Sequence, residues 1–297
     1  YRVNTPVSHG VDAGNWWGDQ TPDMRNEDDR CIYFDSDVMA EKLEIVGTPL
    51  VSLEIEPGAE LVHWVVRLED IAPDGTSHFV TGAAVNGSQI VDRLFPRKNI
   101  IGGRGKIILP MHFTTWVFEK GHRVRLAIAN GQFPMLWPAP SLAVNRVFTG
   151  AFSHLALPGT VGGKLVTMPP VAAREVAPDV EVLENTSGPT QVERDSSQGR
   201  VKVSWEEKTR FKIGSKVFNS GVRTESEVRD NHSAHARFRG EMERGVMSNG
   251  RGVRVRSHID VHSDERYFHV QVRREVQENG FLIRERIWRE DILRDFQ

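Results

Sequence analysis

His9 lies between Ser8 and Gly10 in the stretch "PVSHGVDAGNWWGDQ", Pro6–Gln20, with Trp16 and Trp17 downstream. Imidazole titrates near neutrality, so a histidine beside a serine is where a general base would be sought. Such a base needs a nucleophilic hydroxyl within hydrogen-bond reach and a carboxylate on its other ring nitrogen. His9 is the one catalytic candidate in the chain. The competing reading is a turn, built by Pro6, Gly10 and Gly14.

Three other groups could do chemistry. The loop "NGQFPMLWPAP", Asn130–Pro140, presents Phe133, Met135 and Trp137 among prolines. With Trp16 and Trp17 they form a candidate substrate-cleft or interdomain surface, since pockets favour domain boundaries. Packing at the end of a sandwich is the plainer reading. Asp28, Asp29, Asp35 and Asp37 could offer oxygens to Ca²⁺, but they lack the spacing and glycine of an EF-hand. Asp–Arg pairs on a solvated connection explain them better. His232, His235, His258, His262 and His269 recur late in the chain. His258, Asp260 and His262 share a strand face at steps of roughly 6–7 Å. Arg254 and Arg256 lie on that face and oppose a cation, and zinc needs three or four converging ligands. No metal and no cofactor is expected. "IIGGRGK", Ile100–Lys106, lacks the P-loop spacing and reads as a flexible loop.

These residues must be positioned by strands. In Leu50–Glu56, Val51, Leu53 and Ile55 share one face. Val62, Trp64, Val66 and Leu68 do the same in the next segment, with Leu61 and Val65 opposite, which suits a central strand. Ala72–Ser77, "APDGTS", reads as a turn. Val124, Leu126 and Ile128 alternate with Arg123, Arg125 and Ala127. After residue 195 the same alternation continues with more charge outward: Val201, Val203 and Trp205; Ala234, Ala236, Phe238 and Met242; Val253, Val255, Ile259 and Val261; Phe268, Val270 and Val272. The expected fold is all-β, a jelly-roll sandwich followed by a second antiparallel sheet with one wet face.

The 297 residues suffice for two domains, with 38 basic against 40 acidic groups. The first 170 carry 15 basic and 18 acidic groups and the last 127 carry 23 and 22, so the second part is the more charged. That balance excludes a general polyanion binder and leaves no nucleic-acid partner expected. No apolar run reaches the 18 or so residues of a membrane span. Cys31 is the single cysteine, which fits a reducing compartment and a cytoplasmic setting. Thr167–Gln191, rich in proline, reads as a linker. The expected layout is a connection over 1–24, a sandwich over 25–166, a linker over 167–194 and a charged β extension over 195–297. Tyr1 opens in polar sequence without an initiating Met, as in a fragment.

One ordered set of segments resembles a known family. "DDRCIYFDSDVMAEKLEIVGTPLVSLEIE", "VVRLEDIAPDGTS", "GHRVRLAIANGQFPMLWPAPS" and "LALP" resemble the C-terminal jelly-roll domain of X-Pro dipeptidyl-peptidases and cocaine-esterase-like (CocE/NonD) acyl hydrolases. The match covers roughly residues 25–160. The charged end, "RIWREDILRDF", is similar to the β-rich extension of larger members. The resemblance implies a galactose-binding-like sandwich joined to a separate α/β-hydrolase domain bearing a Ser-His-Asp triad. That catalytic domain, a small acyl or peptide substrate and a homo-oligomer are the implied partners. No G-x-S-x-G elbow occurs here, and the residues before His9, "TPVS", differ from the family's G-P-W-x-H-like loop. The expected function is that of a non-catalytic C-terminal half, shaping the cleft and bracing the catalytic domain. A standalone jelly-roll binding module for a carbohydrate or protein ligand is the other reading.

Overall fold

The computed structural model describes residues 1–17, 21–159 and 179–297. The chain divides into two compact units. The first holds Tyr1–Gly163 with Arg229–Ala234 and Asp295–Gln297, and the second holds Lys164–Val228 and His235–Arg294.

In the first unit the elements run β1 (Arg2–Val3), α1 (Arg25–Asp28), β2 (Ile32–Asp35), β3 (Leu43–Gly47), β4 (Leu50–Glu56), β5 (His63–Ile71), β6 (Ser77–Asn86), β7 (Gly105–Pro110), β8 (Thr114–Phe118), β9 (Arg123–Ala129), β10 (Asn145–Phe148) and β11 (His154–Ala156). One sheet has the order β1-β10-β4-β11 with β7 also on β4. A second has the order β2-β9-β5-β6, and β3 pairs with β8. All described pairs are antiparallel. The expected periodicity holds. Val51, Leu53 and Ile55 join Trp64, Val66, Leu68, Leu126 and Ile128 in one buried cluster, the layered packing of a β-sandwich. Gly75 at φ 86° closes the β5–β6 turn, its N–H donating to Ala72 O at 2.9 Å. Part of the expected connection is a strand, for Arg2 and Val3 pair with Arg146 and Asn145.

The second unit holds one antiparallel sheet: β12 (Val180–Ser187), β13 (Gln191–Asp195), β14 (Arg200–Ile213), β15 (Lys216–Arg229), β16 (Arg237–Ser248), β17 (Arg251–Ser263), β18 (Tyr267–Glu278) and β19 (Phe281–Leu293). Its order is β12-β14-β15-β16-β17-β18-β19, with β13 also on β14. Two hairpins turn on Asn-Gly. Asn249 and Gly250 have φ of 50° and 75°, and Asn279 and Gly280 of 47° and 87°, the positive values a type I′ turn requires. Apolar rows run across the strands, as in Phe238–Val261–Val270 and Ile259–Val272–Trp288.

Two expectations change in extent. Residues 167–178 of the expected linker lie outside the described residues. Val180–Ser187 is a strand paired with β14, because Val180, Val182 and the β-tolerant Thr186 find an edge to join. Ala234 and Ala236 precede β16 instead of lying in it, and both are buried.

Candidate functional site

The second face of the β2-β9-β5-β6 sheet carries the polar chemistry. Side chains alternate along a strand, so the residues between core-facing Val66, Leu68 and Leu126 point the other way. These are Arg67 and Glu69 on β5 and Arg125 on β9. The segment from Pro6 to Arg30 supplies their partners. Its first part turns tightly, with His9 N–H donating to Pro6 O at 3.0 Å and Ala13 N–H to Gly10 O at 3.0 Å. Its second part, α1, aims Glu27 and Asp28 inward, both fully or almost fully buried.

The resulting network is dense. Arg67 donates from Nη2 to Asp28 Oδ1 at 2.9 Å and from Nε to Glu69 Oε1 at 2.7 Å. Arg125 donates from Nη1 to Asp28 Oδ2 at 3.0 Å and grips both oxygens of Asp35 at 2.7 and 2.8 Å. Its guanidinium lies 3.7 Å from the Tyr33 ring centroid, a cation–π contact. Ser77 Oγ donates to Asp28 Oδ2 at 2.8 Å. Glu27 accepts the N–H groups of Gly10 and Asp12, each at 2.8 Å. Ser8 donates through N–H and Oγ to Asp230 at 2.8 and 3.1 Å, and Arg30 donates to Ser8 Oγ at 2.5 Å. Buried charges persist only when paired and hydrogen-bonded, and two guanidiniums among carboxylates meet that condition. Asp28 and Asp35 are thus committed to arginines. Asp28 is buried, not solvated as expected, because Arg67 and Arg125 replace its water. Asp29 and Asp37 are exposed.

His9 sits at the edge of this network, 0% exposed. Its Nδ1 is 3.0 Å from Gly131 O. A carbonyl only accepts, so Nδ1 carries the proton and Nε2 keeps the lone pair. That lone pair faces Arg67 Nη1 at 3.5 Å, with Glu27 Oε2 at 3.6 Å. Burial, then the Arg67 charge, hold the imidazole well below its ordinary pKa. The ring is neutral and points its acceptor at a guanidinium, and neither of these hydrogen bonds involves a serine. Burial pushes the Glu69 carboxyl up to about 8, against the pull of Arg67 and with the push of Asp28. Burial likewise raises the Cys31 thiol to about 12.

The aromatic candidates separate. Phe133 is buried, and its N–H donates to His9 O at 2.7 Å. The loop and the His9 turn are therefore joined. Gly10, at φ 102°, passes so near that a Cβ there would stand 2.8 Å from the Phe133 backbone nitrogen. Phe133 and Trp137 line a cavity of about 50 Å³. Asn130 Oδ1, Gln132 Nε2 and Asn145 Nδ2, from residues around it, are buried without a hydrogen-bond partner among the described residues. A space of this size and polarity suits water, far below the several hundred Å³ of a ligand pocket. Met135 is half-buried and does not line it. Trp17 belongs elsewhere, stacked on Phe79 with centroids 5.6 Å apart and planes at 11°. It covers Gly82, where a Cβ would come within 2.6 Å of its ring. Trp16 is 62% exposed.

The late histidines make ion pairs and a stack. His269 contacts Asp264 at 3.0 Å and Asp291 at 2.7 Å, which raise its pKa. It stacks on His262 at 4.7 Å. His258 pairs with Glu241 at 3.5 Å, and His235 with Glu265 at 3.4 Å. Asp260 is held by Arg237 and Arg239. No group of three ligand-type side chains converges among the described residues. His232 lies in the first unit, and Ile100 and Ile101 in the glycine-rich loop are exposed.

Sequence reasoning missed Glu27, Arg67, Glu69 and Gln132. Arg67 and Glu69 carried a signal, since with Asp70 they put three charges on a strand whose Trp64, Val65, Val66, Leu68 and Ile71 are apolar.

Residues 2–160 match the family described as X-Pro dipeptidyl-peptidase C-terminal non-catalytic domain. No curated protein matches the chain. Among solved structures, an α-amino acid ester hydrolase is 22% identical over 46% of this chain and 27% of its own, at a TM-score of 0.45. An aminopeptidase from a marine sediment archaeon, Thaumarchaeota archaeon, is 15% identical over 53% of this chain and 32% of its own, at 0.47. A CocE/NonD family hydrolase from Staphylococcus aureus is 11% identical over 46% and 32%, at 0.39. The chain thus spans about a third or less of the length of these structures. With more than half of its residues matched, the chain belongs to the family of X-Pro dipeptidyl-peptidase C-terminal non-catalytic domains.

Proposed function

We infer that this chain serves as the non-catalytic C-terminal part of a CocE/NonD-type serine hydrolase acting on ester or amide substrates, acyl or X-Pro dipeptidyl. Its sandwich braces an α/β-hydrolase domain and helps to shape the cleft. The observation that carries this reading is the lock on His9. The candidate base is neutral, buried and turned towards Arg67, while Ser8 is committed to Asp230. The sandwich invests its buried charges in fixing its own N-terminal segment, which suits a rigid support. Trp16, 62% exposed within that segment, is the residue offered to the hydrolase domain. A reducing, cytoplasmic setting accords with the single thiol.

The test is hydrolysis of an aryl ester and an X-Pro arylamide by the 297-residue chain and by a protein that joins it to an α/β-hydrolase domain. The chain alone should show no turnover above buffer, and the joined protein should turn over one of the two. Turnover by the chain alone that disappears in His9→Asn would overturn the reading.

A further inference from the structure

The strand β19 ends the second sheet. Among the described residues it pairs with β18 only, and all thirteen of its residues are exposed. Seven are large and apolar, among them Phe281 at 79%, Ile287 at 43% and Trp288 at 37% exposed. An open edge of this length, rich in apolar groups, is one that proteins ordinarily cover or blunt.

The charges on β19 say what covers it. Ile287 is the midpoint of Phe281–Leu293, and around it the sequence is Arg284, Glu285, Arg286, Ile287, Trp288, Arg289, Glu290. A second copy running antiparallel about a two-fold axis at Ile287 sets Arg284 opposite Glu290 and Glu285 opposite Arg289. It also sets Arg286 opposite Trp288, a cation–π pairing, and Ile287 opposite itself. Both ion pairs occur twice by symmetry, and no like charges meet.

The alternatives are poorer. A two-fold axis normal to the sheet requires paired side chains to share a face, so the axis can move only by whole residues. Centred on Trp288, it puts Glu285 against Asp291. Centred on Arg286, it puts Glu285 against Ile287 and Leu282 against Glu290, and both ion pairs of the Ile287 register are lost. An irregularity in the β18–β19 pairing, where Val276 meets Arg284 and Gln277 meets Leu282, limits regular pairing to the stretch from Arg284 onward.

We propose that β19 is the contact strand of a homodimer, joining two sheets edge to edge through Arg284–Glu290. Main-chain hydrogen bonds supply the affinity of such strand addition, and the ion pairs set its register. Trp288 ends the apolar row Ile259–Val272–Trp288, and the register sets Arg286 of the second copy against the end of that row.

The test is sedimentation of the full chain over a concentration series, with charge-swapped variants. The wild-type chain should dimerise. Arg284→Glu and Glu290→Arg should each weaken association at least about tenfold, and the double variant should restore it. Ile287→Cys should form a disulfide-linked dimer under mild oxidation. Arg289→Cys should not, because the two 289 positions would lie about 13 Å apart, beyond disulfide reach. A monomer at every concentration, single variants that dimerise like wild type, a double variant no better than either single one, or equal cross-linking at 287 and 289 would each overturn the proposal.

Discussion

Arg67 and Asp28 meet at 2.9 Å with both side chains 1% exposed. The pair ties the helix α1 to the central strand of the sandwich, and through Glu27 to the turn that carries His9. It makes the N-terminal segment part of the fold. Arg67 also faces the acceptor nitrogen of His9 at 3.5 Å.

Breaking this tie should be costly. Arg67→Met leaves Asp28 and Glu69 buried without their shared cation. A loss of about 3–5 kcal/mol is expected when one partner of a buried pair is removed. Urea unfolding of the chain measures it, and a loss under about 1 kcal/mol, the range of a solvent-exposed pair, would mean the network is open to water.

Trp17 and Gly82 should be coupled. A Cβ at Gly82 meets the Trp17 ring at 2.6 Å and the Val66 carbonyl oxygen at 2.9 Å. Gly82→Ala should cost about 1–3 kcal/mol, as over-packing does. In a Trp17→Ala background the cost should fall by at least about 0.5 kcal/mol, the size of coupling expected between touching residues. Additive losses would show that Trp17 does not rest on Gly82.

Stability should respond to pH through two groups of opposite sign. His9 has a folded pKa below its unfolded value, so the unfolded chain binds the extra proton. Its contribution is full above about 6.5 and is lost as pH falls. Glu69 is raised to about 8, so the folded chain binds the extra proton. Its contribution is full below the usual Glu range near 4.5 and is lost as pH rises through about 8. Denaturation at a series of pH values should therefore show a flatter acid limb in His9→Asn and a flatter fall between about pH 6 and 8 in Glu69→Gln. Unchanged slopes in both variants would contradict the assignment.

Cys31 should be inert while the chain is folded. The thiolate is the reactive form, and burial holds the thiol near 12. An aromatic disulfide reagent at about pH 8 should modify Cys31 at least about tenfold more slowly in the native chain than in urea. Equal rates would show an accessible thiol.

The sandwich was legible because period-two alternation in Val51–Ile55, Trp64–Leu68 and Val124–Ile128 reports one buried face directly. The buried polar face was not. Glu27, Asp28, Arg67 and Arg125 are scattered over about a hundred positions, and nothing local marks a charge as paired across strands. The same limit left His9 standing as a base candidate, since its partners Gly131 and Arg67 come from distant strands and loops. The Asn249-Gly250 and Asn279-Gly280 turns were readable as hairpins and would have fixed the ends of β16 to β19. Val180–Ser187 hid because its polar, mostly non-alternating residues resemble a linker until β14 supplies an edge.

If the sandwich is a non-catalytic support, any hydrolytic nucleophile belonging with this chain lies outside it, and active-site labelling reads out where that nucleophile is. The protein that joins these residues to an α/β-hydrolase domain is treated with a fluorophosphonate, digested and mapped by mass spectrometry. The label is expected on a serine outside residues 1–297, with equal labelling in His9→Asn. A labelled serine within residues 1–297, lost in His9→Asn, would show instead that this chain carries its own nucleophile and base.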